Sequence, residues 1–507
     1  MSRIARVCAV GASVLGLAAA SACGQAADPP LVASNPASPG AGPTIPGASP
    51  TTPVAIMAPD GGFTAVSDLV NGAIAVPLLP GAVVEIGHGG TVVLRQAFGS
   101  RRLASEPGLD GLPAPAEPMT VDTIFDLASL TKILVTATAV LQLHEQGRVQ
   151  IDDAVQTYLP EFNPANDPRR AEVTLRMLLT HTSGIGGDLS RQGPWGLTAP
   201  DSADGVHRAL TAPLEFSPGE VFHYSDIGFI ILGVLVQKIS GEPLDVYARD
   251  KIFTPLGMAD TRYLPVSKAC GPHRISGTAI TFDPRSPVNP QCSADSWSTD
   301  LLARIAPTAR DEEVPGLNPN FGRLLRGTVH DPTARRMGGV TGSAGVFSTT
   351  DDLGKYARAL LDRLAGRPSR FPLQQSTLEL MTTPQQPGRR PGQLEAANNA
   401  SREAVENTPN TQDPLLAPHY PAIAGQELRG FGWDIDTYQS IPRGLVFPVG
   451  SFGHSGFTGV TLWIDPGSDT YVVVLANVIH QRGGPPIVKL SGDVATSAAR
   501  ALHLYGS

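Results

Sequence analysis

The chain of 507 residues carries 38 lysines and arginines against 46 aspartates and glutamates, which gives a formal net charge of −8 at pH 7. The arginines are scattered and no basic stretch stands out, so the composition predicts no nucleic-acid partner. A chain of this length can bury a large core, and we interpret residues 61–507 as one composite domain.

Residues 1–22 have the order of a bacterial export signal. Two arginines precede an apolar run, Val7–Ala20, that is too short for a membrane span of about 20 residues. Ala20-Ser21-Ala22 would serve ordinary signal peptidase, and the same stretch is similar to a lipoprotein box that ends at Cys23. Its Ala20 stands where leucine is usual. We predict an exported cell-envelope protein, with a lipid anchor on the membrane if Cys23 is acylated.

Residues 23–60 are rich in Pro, Ala, Ser and Gly and contain few large apolar side chains. Such a segment cannot bury enough apolar surface to offset the entropy of folding. We interpret it as an extended tether that would hold an anchored enzyme away from the membrane.

The predicted mature part contains two cysteines, Cys270 and Cys292. In an exported protein such a pair predicts a disulfide, and two free buried cysteines are the alternative. Neither the spacing nor flanking histidines indicates a zinc site, and no metal or cofactor is predicted.

The alternation of residues predicts two β-hairpins, one near each end of the folded part. The first joins Ala82–Ile86 to Thr91–Arg95, and the second joins Val460–Ile464 to Tyr471–Ala476. Predicted helices cover Leu130–Glu145, Gly228–Ile239, Leu353–Leu364 and Val488–Leu502. Strands at both ends around a helical middle predict a mixed α/β (α+β) fold with one antiparallel sheet, built from both chain ends and flanked by helices. Two polar stretches, 265–324 and 384–428, are predicted to be surface insertions.

Ser129-Leu130-Thr131-Lys132 opens a helical run, so the hydroxyl and the ammonium group are predicted to lie one turn apart on one helix face. A serine hydroxyl is a poor nucleophile near neutral pH. A lysine can act as its base only if burial or a neighbouring charge lowers the lysine pKa. An S-x-x-K match arises by accident in a chain of this length, so this pattern alone does not establish a nucleophile.

Two further motifs follow in the chain: Tyr224-Ser225-Asp226 ahead of an apolar helix, and His454-Ser455-Gly456 ahead of a β-forming segment. The order S-x-x-K, Y-x-[ND], [KH]-[ST]-G is the signature set of serine β-lactamases and penicillin-binding proteins, and this chain resembles that family. Four more stretches are similar to the branch of class C β-lactamases, D-Ala-D-Ala carboxypeptidases and related esterases: 178–185, 217–220, 255–258 and 430–433. The resemblance runs from about residue 63 to residue 506.

The resemblance implies that Ser129 attacks a carbonyl and forms an acyl-enzyme, while Lys132 and Tyr224 share the proton. It further implies that the backbone N–H groups of Ser129 and Phe457 hold the oxyanion. The residues that it assigns to the substrate side are Asp226, His454, Ser455, Gly456 and Phe457.

Two departures from the family pattern lie in this set. His454 stands where most relatives carry lysine, and Asp226 takes the place usually held by asparagine. A carboxylate near His454 would raise its pKa, yet the added negative charge would weaken attraction for a substrate carboxylate. Ser343 stands where close relatives have histidine.

The function that we predict is a D-Ala-D-Ala carboxypeptidase or peptidase acting on cell-wall peptides or small acyl substrates. A carboxylesterase or weak β-lactamase on the same fold is the first alternative. A sensor that binds penicillin covalently without turnover is the second. We assign His181 to a structural cap and His330-Asp331 to loop structure.

Overall fold

The computed structural model describes residues 56–57, 62–75, 79–286, 292–408, 420–480 and 487–507. The predicted export segment and Cys23 lie outside the described residues, as does the predicted tether apart from Ile56–Met57. The described residues belong to one compact unit, Thr52–Ser507.

The α-helices, in chain order, are α1 Thr64–Ile74, α2 Thr138–Glu145, α3 Val155–Tyr158, α4 Pro168–Ala171, α5 Leu175–Leu179, α6 Ser202–Thr211, α7 Asp226–Ser240, α8 Leu244–Ala248, α9 Thr254–Leu256, α10 Pro332–Arg336, α11 Thr350–Leu364, α12 Gln375–Thr382, α13 Gln393–Asn407 and α14 Ile487–Ala501. The strands are β1 Ile56–Met57, β2 Gly81–His88, β3 Thr91–Arg102, β4 Glu117–Pro118, β5 Phe125–Asp126, β6 Arg262–Tyr263, β7 Ala269–Cys270, β8 His273–Ser276, β9 Ala279–Phe282, β10 Trp297–Ser298, β11 Val346–Ser348, β12 Leu428–Arg429, β13 Asp434–Asp436, β14 Phe452–Gly456, β15 Val460–Asp465 and β16 Thr470–Ala476.

A nine-stranded sheet forms the centre of the fold, in the order β1-β3-β2-β16-β15-β14-β13-β12, with β4 paired to β3. All of its pairings are antiparallel. Strand β2 from the start of the chain pairs with β16 from its end, from His88 opposite Thr470 to Ala82 opposite Ala476. The predicted sheet from both chain ends and both predicted hairpins are therefore confirmed.

Helices cover both faces of this sheet. Every residue of β16 is buried, as expected of a strand that has packed layers on both sides. One face of the sheet packs against α1 and α14 around Val84 and Val474. The other packs against α11 and belongs to the larger core, which also includes the apolar side chains of α2 and α7. The segments that carry the three predicted motifs adjoin this larger core, which includes Leu127, Ile227 and Phe452.

Helix α7 is apolar on all sides from Ile227 to Val236, as expected of a stretch whose side chains are nearly all buried. The side chain of Ser225 caps its first turn by accepting the N–H of Gly228, and Gly241 ends it in the left-handed conformation that glycine favours. Within the described ranges no single helix has the length and apolar character to cross a membrane, although α7 and Leu244–Leu256 meet those criteria together as a pair bent by 81°.

Two sequence predictions need correction, and a third, the surface insertion at 384–428, contains a helix that was not predicted. The predicted helix Leu130–Glu145 is α-helical only in α2, because residues Lys132–Ala137 form a π-helical segment, a feature frequent at functional sites. The stretch 265–324 is more than a surface insertion, since its side chains contribute to a hydrophobic cluster around Trp297 and Ile280. The stretch 384–428 contains α13, whose only fully buried side chain is Ala397. A helix so polar has no apolar stripe from which to predict it.

The structure joins the sulfur atoms of Cys270 and Cys292, which are separated by 22 positions in the chain. Cys270 is buried in β7, which pairs with β10 in the same insertion. The bond therefore closes the loop that carries the β8–β9 hairpin. Its formation in the protein stays a prediction.

Replacing both cysteines, Cys270→Ser with Cys292→Ser, is expected to lower the free energy of unfolding by roughly 3 kcal/mol, because the unfolded chain regains the entropy that the closed loop removed. Urea unfolding of the parent and the double variant measures the difference under oxidising conditions. Under reducing conditions the two proteins should unfold alike. Equal stabilities under oxidising conditions would show that no disulfide forms.

Candidate active site

A strained turn presents Ser129. Strand β5 ends two residues before the turn, and Ala128 has φ +44°, a left-handed conformation that is costly for a residue with a Cβ. The carboxylate of Asp126 compensates by accepting the N–H of Ala128 at 3.0 Å and the N–H of His330 at 2.7 Å. Burial raises the pKa of Asp126 to about 6. One buried carboxylate thus holds the nucleophile turn against a distant loop.

The third motif docks directly on this turn. A Cβ on Gly456 would lie 2.6 Å from the carbonyl oxygen of Leu127 and 2.5 Å from Val460, so only glycine fits at this position. Thr458 donates its hydroxyl to the carbonyl oxygen of Asp126 at 2.7 Å. The close approach places the backbone after Gly456 beside Ser129.

Lys132 is fully buried, and its ammonium group contacts three oxygen atoms. Its Nζ donates to Ser129 Oγ at 3.0 Å and to the carbonyl oxygen of Ser343 at 2.9 Å, and it forms an ion pair with Asp226. Burial lowers the pKa of Lys132, but the carboxylate of Asp226 and the neighbouring Tyr224 outweigh it and raise the pKa above its usual value. The predicted contact with Ser129 is present. The condition that the lysine pKa be lowered is not met.

The hydroxyl group of Tyr224 is buried close to Ser129 and Lys132, without an aligned hydrogen bond to any described residue. Burial raises the pKa of Tyr224, and the charge of Lys132 opposes this rise. The phenol ring stacks on His181, with ring centres 4.4 Å apart. His181 Nδ1 accepts the N–H of Ser225 at 3.0 Å. This hydrogen bond agrees with the structural role predicted for His181, which fixes the segment that carries Tyr224.

His454 is neutral at pH 7. Its side chain is almost fully buried, and burial, followed by the positive charges of Arg429 and Lys132, holds its pKa well below the usual 6.5. Its Nδ1–H donates to the carbonyl oxygen of Ser455 at 2.7 Å, which assigns the proton to Nδ1 and leaves a lone pair on Nε2. The sequence suggested that a carboxylate at Asp226 would raise the pKa of His454. The structure contradicts this, because the Asp226 carboxylate pairs with Lys132 instead.

The backbone N–H groups of Ser129 and Phe457 donate to no acceptor among the residues that the structure describes. Strand β14 pairs with β15 along its length, but with β13 only where Gly453 lies opposite Asp434. The backbone edge at 454–457 is therefore open on the side away from β15. An oxyanion and an extended substrate could both use these free groups.

The side chain of Phe457 is 74% exposed at the rim of the cleft. Its ring stacks on His330 at 5.9 Å between centres, with 17° between the planes. The sequence predicted that His330 lies in a loop, but it did not predict this stacking on Phe457, because no spacing or motif indicates it. Asp331 does serve the loop, because it caps α10 by accepting the N–H of Ala334 at 2.6 Å.

Three carboxyl groups lie near Lys132: Asp226, which forms an ion pair with it, and Asp188 and Asp331, whose pKa values its charge lowers in part. Burial raises the pKa of Asp188, and the nearby Asp226 raises it further. Burial followed by the charge of Asp226 raises the pKa of Asp331 to about 7. Sequence reasoning missed Asp188, which belongs to no motif. Acidic groups thus outnumber Lys132 near Ser129, although the guanidinium of Arg429 also lies close to Tyr224 and His454.

The structure shows what Ser343 and Trp433 contact. The backbone carbonyl of Ser343 binds Lys132, while its hydroxyl pairs with that of Thr341 at 3.1 Å. Trp433 is fully buried and packs edge-on against Phe452 at 5.0 Å. Trp433 therefore fills core and does not line the cleft.

This sheet and this arrangement of serine, lysine and tyrosine define the superfamily of serine β-lactamases and penicillin-binding proteins, whose members are serine hydrolases. Residues 70–485 match the family model named Beta-lactamase, and the chain belongs to that family. The predicted resemblance is confirmed.

Among known proteins, a putative D-alanyl-D-alanine carboxypeptidase of Escherichia coli strain K12 is 26% identical over 404 residues, covering 78% of this chain and 77% of that protein. An N-acetylmuramyl-L-alanine amidase of Bacillus subtilis strain 168 is 27% identical over 408 residues, covering 79% of this chain and 78% of that protein. The octameric penicillin-binding protein homologue from Pyrococcus abyssi has a similar fold, with a TM-score of 0.54 at 22% identity, covering 87% of this chain and 77% of that one.

Asp126→Asn tests the support of the nucleophile turn through the pH dependence of stability. The folded-state pKa of about 6 lies above the usual 3.8, so the native protein holds a proton that the unfolded chain releases between those values. The parent is expected to lose roughly 3 kcal/mol relative to the variant as pH rises from about 4 to about 7. Urea unfolding at several pH values measures this difference. Asp68→Asn, an exposed substitution on α1, should follow the parent. If the free energy of unfolding changes equally with pH in the parent and in Asp126→Asn, the raised pKa of Asp126 is contradicted.

Proposed function

We propose that this protein is an exported serine hydrolase that acylates Ser129 and cleaves an amide bond of a cell-wall peptide. The observation that carries the proposal is the contact of 3.0 Å between Ser129 Oγ and Lys132 Nζ, beside the hydroxyl of Tyr224. Ser129 Oγ attacks the carbonyl carbon, and the N–H groups of Ser129 and Phe457 hold the oxyanion. The C–N bond then breaks, the amine leaves with a proton, and water releases the acyl group.

The open backbone edge at 454–457 supports a peptide substrate, because an extended chain can add to a free strand edge. The names of the two relatives support the cell wall as its source. Action on the cell wall requires export, which agrees with the predicted signal at residues 1–22. Acylation of Cys23 would keep the enzyme at the membrane.

The charges of the site bear on which peptide bond is cleaved. A carboxypeptidase must accept a free carboxylate next to the scissile bond, and neutral His454 offers no cation for it. Asp226, Asp188 and Asp331 add negative charge. We therefore favour a peptidase or amidase acting on a bond without an adjacent carboxylate, with D-Ala-D-Ala carboxypeptidase activity second. The same charges favour a carboxylesterase over an efficient β-lactamase.

The full chain, incubated with a fluorescent penicillin, a short p-nitrophenyl ester and a cell-wall peptide, tests this function. Ser129→Ala is expected to lower kcat/KM for peptide and ester at least about 10⁴-fold and to abolish the penicillin label, because the nucleophile is lost. Ser67→Ala on α1 is the matched control. Ester cleavage alone would select the carboxylesterase. A lasting label without product would select the sensor, and rapid cephalosporin turnover would select a β-lactamase.

Substrate charge gives a separate prediction. A peptide ending in D-Ala-D-Ala and the same peptide with an amidated C-terminus differ by one negative charge. The amidated peptide is expected to be cleaved with roughly five-fold higher kcat/KM, since repulsion between the substrate carboxylate and the acidic groups of the site is expected to cost about 1 kcal/mol. Release of the terminal residue, followed by chromatography at low salt, measures both rates. Strong preference for the free carboxylate would contradict the charge argument.

A further inference from the structure

The buried groups around Ser129 raise the question of which of them takes its proton. Lys132 Nζ donates hydrogen bonds to Ser129 Oγ and to the carbonyl oxygen of Ser343, and it forms an ion pair with the Asp226 carboxylate, whose negative charge favours the protonated amine. An ammonium group held in this way has no lone pair. Lys132 can therefore orient Ser129 and stabilise negative charge, but it cannot accept the first proton.

Tyr224 alone does not complete the transfer. Its hydroxyl keeps its own proton at neutral pH, because burial in this site disfavours the phenolate. A phenol can take a proton from Ser129 only while passing its own proton to another acceptor. The acceptor must lie within reach of Tyr224 and carry a lone pair.

His454 carries a lone pair and lies beside Tyr224. Its ring lies 5.9 Å from the ring of Tyr224 between centres, at 49° between the planes. The hydrogen bond from Nδ1 to the carbonyl oxygen of Ser455 leaves the lone pair on Nε2. His454 is only 4% exposed, and Nε2 has no hydrogen-bond partner among the described residues. The Tyr224 hydroxyl is likewise buried and has no hydrogen-bond partner among the described residues.

We propose that His454 is the terminal proton acceptor of a relay from Ser129 through Tyr224, acting directly or through one water molecule. The proposal rests on the acyl-enzyme function proposed above. As Ser129 Oγ bonds to the substrate carbonyl carbon, its proton moves to Tyr224 Oη, and the Tyr224 proton moves to His454 Nε2. When the C–N bond breaks, the proton returns from Nε2 to Tyr224, whose proton passes to the leaving amine. Catalytic hydrogen bonds of this kind often tighten only when substrate binds.

The charged groups facing His454 favour the return of the proton. They come from four parts of the chain: Lys132 after Ser129, neutral His181 after α5, Tyr224 ahead of α7, and Arg429 on β12 with its counter-ion Asp434 at 3.5 Å. Positive Lys132 and Arg429 make the imidazolium unfavourable. The proton is therefore held briefly and is available to the leaving group.

The relay predicts a role in catalysis that differs from binding a substrate carboxylate. His454→Gln is expected to lower kcat by 10²–10⁴-fold with little change in KM, on a neutral p-nitrophenyl ester and on the amidated peptide alike. In the parent, kcat/KM should fall as pH falls through a value below 6.5, because protonated Nε2 cannot accept. This acidic limb should be absent in the variant. His207→Gln, on the exposed side of α6, is the matched control.

Two further measurements test the relay, and the second of them needs no variant. Added imidazole should restore part of the activity of His454→Ala, which a purely structural role would not allow. In the parent, kcat/KM in mixtures of H₂O and D₂O should curve with the deuterium fraction. The dependence is quadratic if Tyr224 passes its proton directly to His454, because two protons then move together, and cubic if one water molecule lies between them. A linear dependence would overturn the relay.

The outcomes separate the relay from the proposed function. If the parent forms no acyl-enzyme at Ser129, both the proposed function and the relay are contradicted. If the parent does form the acyl-enzyme, and a folded His454→Gln variant keeps the parent's rate and its loss of activity at low pH, then only the relay is contradicted. Loss confined to substrates with a free carboxylate would assign His454 to carboxylate binding and would also overturn the relay.

Discussion

The buried ammonium group of Lys132 is the interaction on which the site depends. A charge with no exposed surface is destabilising by several kcal/mol unless it is paired and hydrogen-bonded. Its three oxygen partners come from three parts of the chain: Ser129 one turn away, Asp226 at the start of α7, and the carbonyl oxygen of Ser343, 211 positions away. The requirement to satisfy one cation therefore fixes three segments that the topology would otherwise leave free to shift.

This requirement also determines how the other charges are distributed. Because Asp226 is occupied by Lys132, it does not reach His454 to raise its pKa, and the buried imidazole stays neutral beside Arg429. The remaining carboxylates near the cleft, on Asp188 and Asp331, have raised pKa values because they are close to Asp226 and poorly hydrated. The ion pair of Lys132 and Asp226 thus affects the pKa of each of these neighbouring groups.

Local sequence signals predicted what depends on neighbours in the chain. The hairpin of β2 and β3, the helix α7 with its glycine end, and the contact of Ser129 with Lys132 all follow from periodicity and i, i+3 spacing. The π-helical segment after Ser129 and the stacking of His330 on Phe457 do not, because both arise from packing between distant segments. The carbonyl oxygen of Ser343 gives no sequence signal, since any residue there would supply it. The protonation states were likewise hidden, because they depend on burial and on which acid reaches which base.

The two departures from the family pattern depend on each other. Asparagine at position 226 would leave Lys132 without an anionic partner, and burial would then lower the lysine pKa and make the amine a candidate base. Aspartate at 226 keeps the proton on Lys132, so a base has to come from elsewhere in the site. A lysine at 454 would be a second cation beside Arg429 and could accept nothing while charged. A neutral histidine there supplies the missing lone pair, and the carboxylate at 226 and the imidazole at 454 therefore form one electrostatic arrangement.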